Sequence, residues 1–202
     1  AVEVTVSLLD GKAAEIGRKT YSLPPRGMTQ VTRVARDLGV ATDVAGARLL
    51  LSTSSVTGAF AAYASVIDAG TNDPRTLLPR LESQSGTRIV PSVARAAGAG
   101  GAFFTTDLAV ANPSRRDATY TLRFLDHDVD GRRGPGRTFA LRAGETATHR
   151  DVLASVFGLE SGYGALAIES TSAALTAVSQ TATPKGSGPA WRSGPVPARL
   201  AG

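Results

Sequence analysis

VEVTVSLLDG (Val2–Gly11) and ATYTLRFLDH (Ala118–His127) are two alternating stretches that both end in Leu-Asp. Val2, Val4 and Val6 fall on one side of the first, with Glu3, Thr5 and Ser7 on the other. Tyr120, Leu122 and Phe124 oppose Thr121 and Arg123 in the second. Successive side chains of a strand point to opposite faces, so each stretch is predicted to be a half-buried β-strand. The likeness continues outward from this pair. KTYSLPPRGMT (Lys19–Thr29) matches RTFALRAGET (Arg137–Thr146), a strand followed by a Gly turn. VTRVARDLGV (Val31–Val40) matches RDVLASVFGL (Arg150–Leu159), and GARLLLSTSS (Gly46–Ser55) matches GALAIESTSA (Gly164–Ala173). GAFAAYASVIDAGTNDP (Gly58–Pro74) follows the plan of AALTAVSQTATPKGSGP (Ala173–Pro189). The offset stays near ~117 residues throughout, which is the signature of an internal repeat.

The shared unit reads strand, hairpin, strand, short helix, strand, tight turn, strand, a long Gly/Pro loop and a final short strand. Helices are predicted around Val31–Leu38 and Asp151–Phe157. In the second, Val152, Leu153, Val156 and Phe157 form an apolar stripe, Asp151 is the candidate N-cap and Gly158 the stop. Thr87–Asp117 has no counterpart in the first copy. It holds two strand candidates, Arg88–Val93 and Ala102–Asn112, joined by a Gly-rich loop and followed by an Asn-Pro-Ser turn. The expected fold is therefore all-β: two tandem antiparallel sandwiches, each with one short helix. Residues 1–82 form a partial repeat lacking its N-terminal strands, 86–202 a complete one, and the boundary falls near Leu81–Gly86.

The run GGAFFTTDLAVANPS (Gly100–Ser114), the LRAGET turn (Leu141–Thr146), DVLASVFGL (Asp151–Leu159) and GALAIES (Gly164–Ser170) carry a further likeness. Together they resemble an Ig-like repeat of large secreted bacterial proteins, found singly or in tandem and commonly near the C-terminus. Its pattern runs roughly G-T-x-W-R-T-D-L-x-L-x-N-P, an apolar strand, L-x-x-G-x-T, D-x-L, F-G-L, G-A-L-x-I/V-x-S. The resemblance covers Arg88–Gly202 well and Val2–Arg80 in part. Phe104 stands where the repeat often has Trp, and Thr105 where Arg is usual. The resemblance implies Ig-like sandwiches and a secreted or cell-surface location, and brings no catalytic residues with it.

Composition narrows the classes. The chain has 202 residues, 42% hydrophobic and 5% aromatic, with 22 Gly and 11 Pro. Such a composition favours short strands and many turns over long helices. No run approaches the ~20 apolar residues of a membrane helix. Ala1 already opens an alternating strand, so no leader peptide is expected within this stretch. There is no cysteine, which removes disulfides, thiolate metal sites and cysteine nucleophiles. The net charge of +5 raises the question of nucleic acid. The basic residues are scattered singly except at Arg115-Arg116 and Arg132-Arg133, without interleaved aromatics, so a solvated surface is the better reading.

Candidate chemistry is sparse. The two histidines, His127 and His149, lack a G-x-S-x-G elbow or a recognisable nucleophile, and are read as structural. DHDVDG (Asp126–Gly131) has the alternating carboxylates and Gly of a calcium loop, making Asp126, Asp128 and Asp130 a weak metal candidate. Arg137 stands where an EF-hand requires Glu, and Arg132 and Arg133 compete for the acids, so a solvated hairpin loop is expected. AGAGGA (Ala97–Ala102) leads into a strand rather than a helix and is read as a loop, not a phosphate cradle. Glu145, Glu160 and Glu169 do not make a glycosidase pair. No cofactor is expected.

The expected function is a non-catalytic extracellular structural or interaction module, a spacer or docking domain of a larger secreted or surface assembly. Its expected partner is another protein chain or an upstream domain that completes the first repeat. The alternative is a carbohydrate- or surface-binding accessory module of a secreted enzyme, with Tyr63, Tyr163 and Trp191 as candidate stacking rings. An enzyme ranks last, and fold alone does not choose among these.

Overall fold

The computed structural model describes residues 1–67, 72, 74–79, 86–170, 174–183 and 196–197. They are overwhelmingly strand and turn, so the chain is all-β. It divides into two compact units, Ala1–Ala64 and Ser65–Gly202. The boundary expected at Leu81–Gly86 lies almost wholly outside the described residues.

The first unit is a three-stranded antiparallel sheet of β1 (Val2–Leu9), β2 (Glu15–Leu23) and β3 (Arg48–Ser52), in the order β2-β1-β3. Alternation in β1 holds for its apolar face, where Val4, Val6 and Leu8 are buried, and for Glu3, which is exposed; on that other face, however, Ser7 is buried too and accepts from Arg18 Nε (3.2 Å). Leu38 is buried against them, and Val2, Tyr21, Leu23, Leu49, Leu51 and Phe60 pack round this core while remaining partly open to solvent. The helix α1 (Val34–Asp37) is shorter than the predicted Val31–Leu38. Arg33 adopts a left-handed conformation (φ 54°), which interrupts helical geometry immediately before Val34. Asp37 on α1 accepts hydrogen bonds from Tyr21 Oη and from Lys19 Nζ (2.9 Å), fastening the helix to β2. Burial and the Asp37 carboxylate push the Tyr21 hydroxyl up to about 12.

A two-stranded ribbon follows, β4 (Ala64–Ile67) with β5 (Pro74–Leu77). The rest of the second unit is one continuous sheet. Its path runs β10 (Thr146–His149), β7 (Phe103–Ala111), β6 (Arg88–Ala97), β11 (Gly162–Glu169), β8 (Ala118–Asp126) and β9 (Gly136–Leu141). Off this path, β12 (Thr176–Ala182) pairs with β7, and β13 (Val196–Pro197) pairs with β6. Instead of two separate sheets, the unit curls nearly into a barrel because β6 serves both sides. Arg88–Arg95 pairs with β11, and Arg95–Ala97 pairs with β7. Thr106 Oγ1 replaces ladder partners at this bend, accepting from Ala94 N (2.8 Å) and donating to Ala94 O (3.1 Å).

The core of this unit is closed. Val90, Val93, Leu108, Val110, Tyr120, Leu122, Leu153, Leu166 and Ile168 are all but inaccessible. The helix α2 (Val152–Phe157) contributes Val152 and Leu153 and ends at Gly158, whose φ of 69° favours glycine. Asp151 does sit at the N-cap position, but its carboxylate caps nothing. It is left-handed (φ 43°), and its side chain turns to Arg95 Nη1 at 2.7 Å.

The two units share a strand order. β2-β1-β3 and β9-β8-β11 are both antiparallel triplets with the first strand of each in the middle. Val6 lies between Lys19 and Leu51, and Leu122 lies between Arg137 and Ile168. In both units the helix follows a left-handed residue, Arg33 or Asp151.

Candidate functional site

The feature that separates the two triplets is the outer edge of the third strand. In the second unit β11 is flanked on both sides, by β8 and by β6. In the first unit β3 is flanked by β1 alone, and no strand among the described residues pairs with its other edge. An unpaired edge presents main-chain N–H and C=O groups in a row, ready for another strand.

Register defines what that edge offers. Val6 faces Leu51 and Leu8 faces Leu49, just as Leu122 faces Ile168 and Phe124 faces Leu166. Leu49 therefore stands where Leu166 stands, and Leu51 where Ile168 stands. The sequence match set Gly46 over Gly164, which is one residue out along this strand. A one-residue slip exchanges the faces of a strand, so pairing, not likeness of letters, decides the equivalence. Leu166 and Ile168 are fully buried, whereas Leu49 and Leu51 remain partly open. Leu50, on the opposite face of β3, is 53% exposed.

In the second unit β6 and β7 make the difference. β6 lays Val90 opposite Leu166 and Ile89 opposite Ala167, then bends to bring β7 with Leu108 and Val110 over the core. The Gly100–Ser114 run is the hardware of this arrangement. Asp107 accepts the Asp151 amide (2.8 Å), and Asn112 is fully buried. Asn112 Nδ2 donates to the carbonyls of Arg116 (2.7 Å) and Arg142 (3.1 Å), and its Oδ1 accepts from Ser114 N and Oγ. It thereby ties the β7–β8 turn to the LRAGET turn. Phe104 packs its ring against Gly98, where a Cβ would lie 2.4 Å from the ring. The Asn-Pro-Ser run was legible as a turn, but the carbonyls it binds are distant in sequence.

The other candidates are dispersed. Asp126 Oδ1 accepts from His127 N (2.9 Å) and lies 3.2 Å from His127 Nδ1. Asp130 is held by Arg132, through the amide and a two-point guanidinium contact, which lowers its pKa. Asp128 is left-handed (φ 58°), and no three potential metal-ligating side chains converge among the described residues. His149 and Tyr120 share a hydrogen bond (2.7 Å), with Phe139 against both rings. Burial lowers the His149 pKa and raises that of Tyr120. Glu169 pairs with Arg123, and Glu145 accepts the Arg142 amide. Ala99–Gly101 is a tight turn between β6 and β7, in which Gly100 (φ 66°) and Gly101 (φ 78°) are left-handed. Tyr63 is 70% exposed in the first unit; Tyr163 is 51% exposed in the second and stacks on His127 at 3.9 Å. Trp191 lies outside the described residues.

No helix among the described residues is long and apolar enough to cross a membrane. No protein-family model matches the chain, and no curated protein or solved structure matches it either.

Proposed function

We propose that the chain is a non-catalytic structural and interaction module of a larger secreted or cell-surface assembly, built from two Ig-like repeats. The first is completed by strands from another chain or from an upstream part of the same polypeptide. One observation carries this reading: equivalent triplets, β2-β1-β3 and β9-β8-β11, differ in that β11 has β6 on its outer edge and β3 has none among the described residues. Leaving several large apolar side chains half-covered forgoes much of the ~1.5–3 kcal/mol that each contributes when fully buried, against a total margin of only ~5–15. That imbalance favours a protein surface over β3. The test is the oligomeric state of Ala1–Gly202 together with hydrogen exchange over Val2–Val6. A stable monomer with those amides strongly protected would mean that the first unit closes unaided.

A second reading, a carbohydrate- or surface-binding accessory module of a secreted enzyme, draws on the exposed Tyr163. Its ring is supported from one side by His127, which holds it as a flat platform. Retention of the chain on insoluble polysaccharide, abolished by Tyr163→Ala, would favour this reading over the first.

A further inference from the structure

Resting on the reading of the chain as a carbohydrate-binding module, we infer that a neutral polysaccharide chain binds along the outer face of β8 and β11, from Tyr163 to Glu169. Register sets this line. Ala165 lies opposite Leu125 and Ala167 opposite Arg123, and one rung beyond Leu125 the Tyr163 ring stacks on His127 at 3.9 Å. Alternate residues of a strand share a face, so the row from Tyr163 to Glu169 is about 20 Å long at ~3.3 Å per residue. Beside its far end lies an open groove of about 480 Å³, floored by Leu125 and Ala167. One side of it is the Arg123–Glu169 pair (3.1 and 3.3 Å), the other the Asp130–Arg132 pair (2.7 Å). The loop comes this close to the sheet because Gly131 has no side chain: a Cβ there would lie 2.8 Å from Leu125 Cδ2.

The fold itself does not require this set. Through the pairing equivalence, Ser7, Gly11, Gly46 and Ser52 hold in the first unit the positions of Arg123, His127, Tyr163 and Glu169. The triplet forms there without the stacked rings or the Arg–Glu pair, so what these add to the second unit is surface chemistry. That chemistry selects the occupant. Both guanidinium groups of the groove are neutralised by carboxylates, which leaves no net charge to draw a polyanion. Each pair sets N–H donors beside carboxylate acceptors, a pattern that hydroxyls match because they donate and accept at once. The Tyr163 ring, half exposed, offers flat apolar area to the C–H face of a sugar, and Leu125 continues it. A protein hot spot would instead be expected in a well-packed, desolvated pocket, which this open groove is not.

The test measures retention of the full chain on cellulose, chitin and starch granules, and on agarose-immobilised polygalacturonate as the anionic control. Retention on at least one neutral matrix is expected, unchanged by added salt and abolished by Tyr163→Ala. Arg132→Ala and Glu169→Ala are each expected to weaken it by about tenfold, the worth of a hydrogen bond to a charged group. Arg132 is almost fully exposed, so its variant folds as the parent does, and unaltered thermal midpoints assign the losses to contact. If no matrix retains the chain, or Tyr163→Ala has no effect, the carbohydrate reading and the groove fall together. If Tyr163→Ala abolishes retention while Arg132→Ala and Glu169→Ala leave it intact, the groove alone falls. Retention on polygalacturonate only, lost on adding salt, would overturn the neutral class of ligand.

Discussion

Thr121 and Thr138 face each other across β8 and β9 with their hydroxyl oxygens 2.8 Å apart. Thr5 and Thr20 occupy the matching positions across β1 and β2, 3.0 Å apart. Each pair sits outside the core, on a register that also sets Val4 against Tyr21 and Tyr120 against Phe139. Cross-strand pairs of this type contribute roughly 0.2–1 kcal/mol. Replacing Thr138 by Ala is expected to lower stability within that range, read as a small shift of the urea midpoint with the slope unchanged. A larger loss would mean that the pair helps set the register.

Asn112 carries far more. Its side chain is fully buried and holds the carbonyls of Arg116 and Arg142 while accepting from Ser114. Asn112→Ala orphans these groups and is expected to cost about 2–4 kcal/mol. Asn112→Asp is expected to cost more, since it aims a carboxylate at three carbonyl oxygens, those of Arg116, Leu141 and Arg142, in a buried site. Chemical denaturation of the two variants checks the order.

Arg33 and Asp151 share a left-handed backbone but not a role. Asp151 is tied to Arg95, and its amide to Asp107, whereas no hydrogen bond or ion pair involving the Arg33 side chain is seen among the described residues. Glycine relieves the steric cost of the left-handed region in either place. Arg33→Gly is therefore expected to stabilise the first unit by about 0.5 kcal/mol. Asp151→Gly is expected to destabilise the second, because a partly buried ion pair is lost along with the strain. Thermal unfolding of each variant gives the two signs.

His149 predicts a pH dependence. Burial lowers its folded pKa below the ordinary 6.5, so the unfolded chain takes up the proton first. The stability it lends is fully present above about pH 6.5 and is lost as pH falls through the folded value. His149→Gln, which retains a partner for Tyr120, is expected to flatten the decline as pH falls below about 6.5. Equal slopes for both proteins below that pH would assign the decline to other groups.

Calcium is expected to leave the thermal midpoint unchanged. Asp130 is already engaged with Arg132 and Asp126 with His127, so binding would first have to break these contacts. A rise of several degrees at micromolar calcium would show that the loop rearranges around the ion, since native-state binding raises the midpoint.

Much of this protein was determined by local sequence alone. Alternation over Val2–Leu8 and Ala118–Phe124 specifies strands whose apolar face is buried, because the β-strand period is two whatever the neighbours, although it gave no sign that Ser7 on the other face of β1 would be buried as well. Gly158 is placed at a helix end by its freedom at positive φ. The placement of strand beside strand was decided only in three dimensions. Leu49 equals Leu166 by pairing, though the sequences align one residue apart, because register answers to cross-strand packing. That β6 joins both sides of the second unit, that Asp151 turns to Arg95 rather than capping its helix, and that Asn112 reaches Arg142 are likewise tertiary facts. Each depends on contacts between residues far apart in the chain, for which neither periodicity nor turn chemistry holds any record.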